Sequence, residues 1–128
     1  MPNLSKASPQ QIKGQLVESQ VSEYLQQHGF CLLKANFRCR VGEIDLIGRH
    51  QHHLVFVEVR FRSNALYGSA ADSVDFRKQQ KLIRSAELFL QQHPHLENCA
   101  CRFDVVAVTM EAESKLLDID WIQNAFCE

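Results

Sequence analysis

The chain has 128 residues, 45% hydrophobic and 23% charged, with a formal net charge of −1. That suffices for one domain around one hydrophobic core, and the near-average composition excludes a disordered or fibrous chain. The mild charge excludes a strongly basic, non-specific nucleic-acid binder.

No apolar run is long enough to cross a bilayer, and no basic–apolar–small-residue leader opens the chain, so a cytoplasmic location is expected. Cys31, Cys39, Cys99, Cys101 and Cys127 are odd in number and lack CxxC spacing. This argues against a disulfide framework and a structural zinc site, and for reduced thiols. Residues 1–105 carry 13 Lys/Arg against 10 Asp/Glu, whereas residues 106–128 carry 1 against 5. The basic residues group at Arg38 and Arg40, at Arg60 and Arg62, and at Arg77, Lys78, Lys81 and Arg84, which suggests a modest phosphate-binding face.

In chain order, Met1 to Gln11 is polar with two prolines and reads as a disordered tail before a single domain over 12–128. Ile12 to His28 reads as a helix. Leu16, Val17, Val21, Tyr24, Leu25 and His28 recur at three- and four-residue steps, and Gly29 stops it. Phe30 to Ala35 is a short strand. Glu43 to Ile47 and Leu54 to Phe61 are β-rich runs, and the polar stretch Gly48 to His53 between them predicts a hairpin with a long, solvated loop. Ser63 to Ala71 reads as a loop. Asp72 or Ser73 is the expected cap of a second helix that ends before Pro94, with Val74, Leu82, Ala86, Phe89 and Leu90 as its apolar stripe. Arg102 to Met110 is almost uninterrupted by polar residues, which predicts a strand covered on both faces. Glu111 to Ser114 is a turn and Lys115 to Ile119 an edge strand. Trp121, Ile122, Ala125 and Phe126 have the spacing of a short final helix. The whole reads as α/β, a mixed β-sheet flanked by helices.

The chemistry concentrates in Gly42-Glu43-Ile44-Asp45-Leu46-Ile47 and Val55-Phe56-Val57-Glu58-Val59-Arg60. Along a strand, Glu58 and Arg60 share one face and Val57 and Val59 the other. Asp45 and Glu58 share a face only if paired residue numbers across the hairpin sum to an odd number. Two close carboxylates then need a cation, an arginine or a shared proton. Mg²⁺ suits them, because it takes hard oxygen ligands and keeps waters beside one or two carboxylates. The plainer alternative is a solvated sheet face on which both acids pair with Arg60 or Arg62. Glu18 lies beside the buried stripe of the first helix and either reaches water or faces a polar pocket. Lys78 lies on the stripe of the second helix, where it lays its stem over the core edge or aims at a phosphate. Asp104, beside Arg102, suits an ion pair or a loop cap. His50, His52 and His53 read as a solvated turn.

These segments, with Val74 and Lys78, Arg102-Phe103-Asp104-Val105-Val106, and the closing Trp121-Ile122 and Ala125-Phe126, resemble the YraN family of small bacterial proteins, uncharacterised protein family 0102. The resemblance runs from about Lys13 to Phe126. That family is similar to restriction-endonuclease-like nucleases and to archaeal Holliday junction resolvases. It implies a restriction-endonuclease-like core and a metal-dependent endonuclease acting on branched or structured DNA. Within that resemblance Asp45 matches a metal-binding aspartate, and Glu58 the acid of an E-x-K signature. Glu18 matches a helical glutamate that orients the attacking water, and Lys78 a basic residue on the helix after the hairpin. Mg²⁺ or Mn²⁺ would be held by Asp45, Glu58 and the Val59 carbonyl. Arg38, Arg40, Arg62, Arg77 and Lys81 are the expected contacts to DNA, and a homodimer is expected because resolvases cut two strands. Arg60 stands where the signature has lysine and cannot act as a base, since a guanidinium stays protonated. A non-catalytic nucleic-acid-binding or protein-interaction module on the same fold is the alternative, and a structural subunit is a third.

Overall fold

The computed structural model describes residues 9–62, 74–111, 113–114 and 116–127; for residues 9–15 and Arg62 it describes the backbone alone. The elements run α1 (Pro9–Gln27), β1 (Cys31–Arg38), β2 (Glu43–His50), β3 (His53–Arg62), α2 (Phe76–Gln92), a 3₁₀ turn (Pro94–Leu96), β4 (Ala100–Met110) and β5 (Leu117–Phe126). The five strands form one sheet in the order β1-β2-β3-β4-β5. Only β3 and β4 are parallel, and α2 lies in the connection between them, as a parallel pair demands. The α/β class with a mixed sheet between helices is therefore observed. No helix among the described residues is long and apolar enough to cross a membrane.

Alternation along β3 divides the core. Leu54 and Phe56 pack with Leu82, Ile83, Ala86 and Phe89 of α2. Val55 and Val57 pack with Val17, Val21 and Leu25 of α1. The helices thus cover opposite faces of the sheet, and each fully buried aliphatic side chain contributes roughly 1.5–3 kcal/mol. α1 begins at Pro9, three residues before the sequence suggested, and residues 1–8 lie outside the described part. Its buried stripe is narrower than expected, because Leu16 and His28 are exposed. Gly29, at φ +94°, does end it, and the Phe30 N–H returns to the Leu25 carbonyl.

Three expectations are corrected. The stretch Gly48 to His53 is not a long loop: β2 and β3 continue to the pair His50–His53, so only Gln51 and His52 turn. Gln51 takes positive φ there, the backbone that short hairpins require. Gly48 is a strand residue because Phe30 and the Cys31 carbonyl press on it where a Cβ would stand. The cap of α2 is Asp75, whose Oδ1 accepts from the Lys78 N–H at 2.9 Å. Asp72 and Ser73, like the expected loop Ser63 to Ala71, lie outside the described residues.

The third correction concerns the C-terminus, where Trp121 to Phe126 is strand rather than helix. Phe103 faces Phe126 but Val105 faces Ile122, so β5 carries two extra residues opposite Asp104. This bulge turns strand alternation into the i, i+1, i+4, i+5 spacing that mimics a helix. Asn124 takes positive φ in it, and its N–H donates to Asp104 Oδ1 at 2.9 Å. Asp104 also accepts from Arg102 Nε and Nη2, both at 2.9 Å, and from Trp121 Nε1 at 2.8 Å. Arg102 Nη2 donates in turn to Nδ1 of His50 at 2.9 Å. A guanidinium only donates, so His50 accepts and is neutral. Burial, then the Arg102 charge, holds its pKa below the usual histidine value. His50 is thus a buried network member, not a solvated turn residue.

Asp104→Ala strands the buried Arg102 guanidinium and is expected to cost about 3–5 kcal/mol. The urea midpoint measured by circular dichroism reads this, with exposed Glu97→Ala as the control expected to stay at the wild-type midpoint.

Candidate functional site

The sheet opens at Asp45. The β1–β2 pairing omits Asn36 and Asp45, and Asn36 takes positive φ at that step. The β2–β3 pairing ends at Leu46–Val57. Ile44 and Leu46 are two apart yet pack into opposite layers, so β2 twists sharply about Asp45. Beyond this point β3 pairs only with β4 among the described residues. In place of a β2 carbonyl, Asp45 Oδ2 accepts the Val59 N–H at 2.8 Å. A strand residue sends its N–H and C=O to the same edge, so the Val59 carbonyl faces the same gap.

Leu46 opposes Val57 and Ile47 opposes Phe56, an odd-sum register that puts Asp45 and Glu58 on one face. That face is the α2 face, since Phe56 and Ile47 belong to the α2 layer. Glu58 is only 6% exposed. Its Oε1 lies 2.8 Å from Lys78 Nζ and 3.7 Å from Arg60 Nη1. Glu43 and Glu18 complete the acidic group. The Asn36 amide, with its nitrogen turned toward them, donates to Glu18 Oε2 at 3.1 Å and to Glu43 Oε1 at 3.3 Å. Glu43 also faces the exposed Arg38 at 3.7 Å.

The electrostatics follow from that crowding. Burial, followed by the Glu58 charge, pushes the Asp45 carboxyl from 3.8 up to about 7; the Val59 N–H opposes this, and Glu18 and Glu43 add to it. Burial also raises Glu18 above the usual carboxylate range, against the Asn36 hydrogen bond. The described contacts engage Oδ2 of Asp45 and Oε1 of Glu58. Among the described residues no group of three or more Asp, Glu, His or Cys side chains is placed to hold a metal. The donor set instead fits a hard divalent ion that keeps waters and takes one or two carboxylates, as Mg²⁺ does.

A cavity of about 440 Å³ opens over the pair, lined by Glu43, Asp45 and Glu58 on one side and by Arg77, Lys78 and Lys81 of α2 on the other. A second cavity, about 630 Å³, lies between α1 and β1 and meets the site at Glu18 and Asn36. The fold thus brings together Glu18, Asp45, Glu58, Arg60 and Lys78, and sets Arg77 and Lys81 on the cleft wall. Arg38 stands at the Glu43 rim. Arg40 faces a separate cavity, with Arg84. The Arg62 side chain lies outside the described residues. Glu43 and Asn36 were not singled out from the sequence. Glu43 begins the same strand as Asp45, a hint of its place, but nothing in the sequence marks the backbone turn that aims Asn36.

The model of the uncharacterised protein family UPF0102 matches residues 17–108, which include Glu18, Asp45, Glu58 and Lys78. The chain belongs to UPF0102. It is 46% identical over 119 residues to a UPF0102 protein of Stutzerimonas stutzeri strain A1501, covering 93% of this chain and 98% of that one. It is 48% identical over 113 residues to a UPF0102 protein of Pseudomonas putida strain GB-1, covering 88% and 91%. A UPF0102 protein of Hahella chejuensis strain KCTC 2396 is 44% identical over 113 residues, covering 88% of each. β5, the strand that caps Asp104, lies outside the span of the UPF0102 model.

Because the folded-state pKa of Asp45 lies above its unfolded value, its contribution to stability is full below pH 4 and is lost as pH rises through about 7. In EDTA, this UPF0102 protein is therefore expected to lose roughly 2–4 kcal/mol between pH 4 and pH 8 from this group. Asp45→Asn is expected to flatten that slope. Urea unfolding across pH checks it, and an unchanged slope in the variant counts against the buried acid pair.

Proposed function

We propose that this UPF0102 protein is a metal-dependent endonuclease, with the restriction-endonuclease-like type of core, that hydrolyses a phosphodiester of branched or structured DNA. The reading is carried by one observation: two carboxylates, Asp45 and Glu58, share a partly buried cleft closely enough for the Glu58 charge to raise Asp45, opposite a wall of cations. Asp45, Glu58 and the Val59 carbonyl are the oxygen donors that would hold Mg²⁺ or Mn²⁺. Such an ion supplies Lewis acidity at the phosphate.

The chain's own residues divide the remaining work. Lys78 and Arg60, both against Glu58, offset the negative charge that grows on the phosphate as water adds and a P–O ester bond breaks, a preorganised electrostatic term. Lys78 brings to the cleft the ammonium that position 60 lacks. Glu18, half-buried and raised above the ordinary carboxylate range, orients the attacking water and accepts its hydrogen bond. Arg77 and Lys81, with Arg38 and Arg62 as further contacts, hold the flanking backbone. Cutting both strands of a junction calls for two copies of the site, hence a homodimer.

Cleavage of a labelled four-way junction and of linear duplex with Mg²⁺ or Mn²⁺ tests this reading. Wild type is expected to cut the junction, with Asp45→Ala and Glu58→Gln slower by roughly 10²-fold or more, and Lys78→Met slower than Lys78→Arg. Equal activity in wild type and Asp45→Ala, or none in either, counts against it. A second reading, a non-catalytic nucleic-acid-binding or protein-interaction module, is favoured by the guanidinium at position 60. It predicts no Glu58-dependent heat when Mg²⁺ or Mn²⁺ is titrated in, and salt-sensitive DNA binding that survives loss of both acids.

A further inference from the structure

Beside the acid cleft lies a third, smaller cavity of about 280 Å³, lined by Arg40, Arg84, Glu87 and Leu88. Val41 lines this cavity and the acid cleft alike, so the two adjoin across one residue. Among the described residues, neither Arg40 nor Arg84 has an ion-pair partner within 4.0 Å, and Glu87 pairs with neither. Among the described residues, two guanidiniums and a single carboxylate therefore line one opening.

Their relative position is set by packing. Arg40 sits in the turn between β1 and β2, which is closed by the Cys39 N–H on the Gly42 carbonyl at 2.9 Å. The Cys39 thiol then donates to the Ser85 hydroxyl at 3.4 Å, tying that turn to α2 one residue from Arg84. On α2, Arg77, Lys81 and Arg84 follow each other at i, i+4 and i+7, which is one stripe of a helix. Arg77 and Lys81 line the acid cleft, and Arg84 lines the next cavity. The six-residue step from Lys78 to Arg84 spans about 9 Å of helix.

We infer that the Arg40–Arg84 cavity is a second phosphate subsite. It takes a nearby phosphodiester of the same strand, beyond the phosphate held at Glu58 and Lys78. This rests on the nucleic-acid reading above and extends it. The substrate is a continuous polynucleotide strand that runs along the cationic stripe of α2, rather than a mononucleotide or a free phosphate. Guanidinium suits the role, because it presents paired donors to a phosphate and never loses its charge.

Fluorescence anisotropy tests it without requiring cleavage, in EDTA and again with Ca²⁺, over a range of salt. The probes are labelled single-stranded DNA of about eight nucleotides, a labelled dinucleotide, and inorganic phosphate as competitor. The Arg40→Ala/Arg84→Ala double variant is expected to bind the longer strand about tenfold more weakly and to flatten its log–log salt slope by about 1. Its dinucleotide binding is expected to match wild type. Glu87→Gln, which removes the opposing carboxylate, is expected to tighten binding of the longer strand. Unchanged affinity and slope in the double variant, equal loss on the dinucleotide, competition by millimolar phosphate, or no binding by wild type each overturn the subsite. If the binding effect holds while Mg²⁺ and Mn²⁺ yield no products, the subsite stands and the nuclease reading falls. If cleavage holds and the double variant binds as wild type, the reverse follows.

Discussion

The hydrogen bond from the Val59 N–H to the Asp45 carboxylate replaces a rung of the sheet, and the site depends on that replacement. A continuous β2–β3 ladder would place a backbone carbonyl there and leave no gap. With the carboxylate in that place, β2 twists away, Ile44 passes into the α2 layer, and the outer edge of β3 opens at the level of Glu58. The same step costs free energy, because it buries a carboxylate beside a second one with a single N–H as its described hydrogen-bond donor.

The chain contains a contrasting solution to the same problem. Asp104, on the other face, is more deeply buried yet receives two donors from Arg102, one from Trp121 and one from the Asn124 backbone. That carboxylate is saturated, and its work is to hold the bulge of β5 against β4. Among the described residues, Asp45 receives one donor and has three acidic neighbours, Glu58, Glu18 and Glu43. A buried acid left short of donors is the pattern of a group that awaits a cation or a proton, whereas a saturated one is structural.

α2 joins these parts. Its inner face supplies Leu82, Ile83, Ala86 and Phe89 to the core, and its first turns carry Lys78 to Glu58. Its third side presents Arg77, Lys81 and Arg84 along two adjoining cavities. One helix therefore fixes the sheet and sets the spacing of positive charge over the acidic cleft, through the rigidity of its 3.6-residue repeat.

Local pattern was enough to recover the helices, the β-rich runs, the α/β class and the acids on neighbouring strands. Those follow from periodicity and from the types of residue present. The short hairpin at Gln51 and His52 was hidden, because Gly48 reads as a loop residue until Phe30 is seen pressing on it. The strand character of Trp121 to Phe126 was hidden by a bulge that is bound by Asp104, seventeen or more residues away in the chain. The sequence by itself determined which groups exist and on which elements they ride. Tertiary structure alone decided that Asp45 breaks the ladder, that Asn36 bridges Glu18 and Glu43, and that Arg40 and Arg84 line one cavity. Each of these brings together residues distant in the chain, and side-chain periodicity within one element carries no information about what packs across from it.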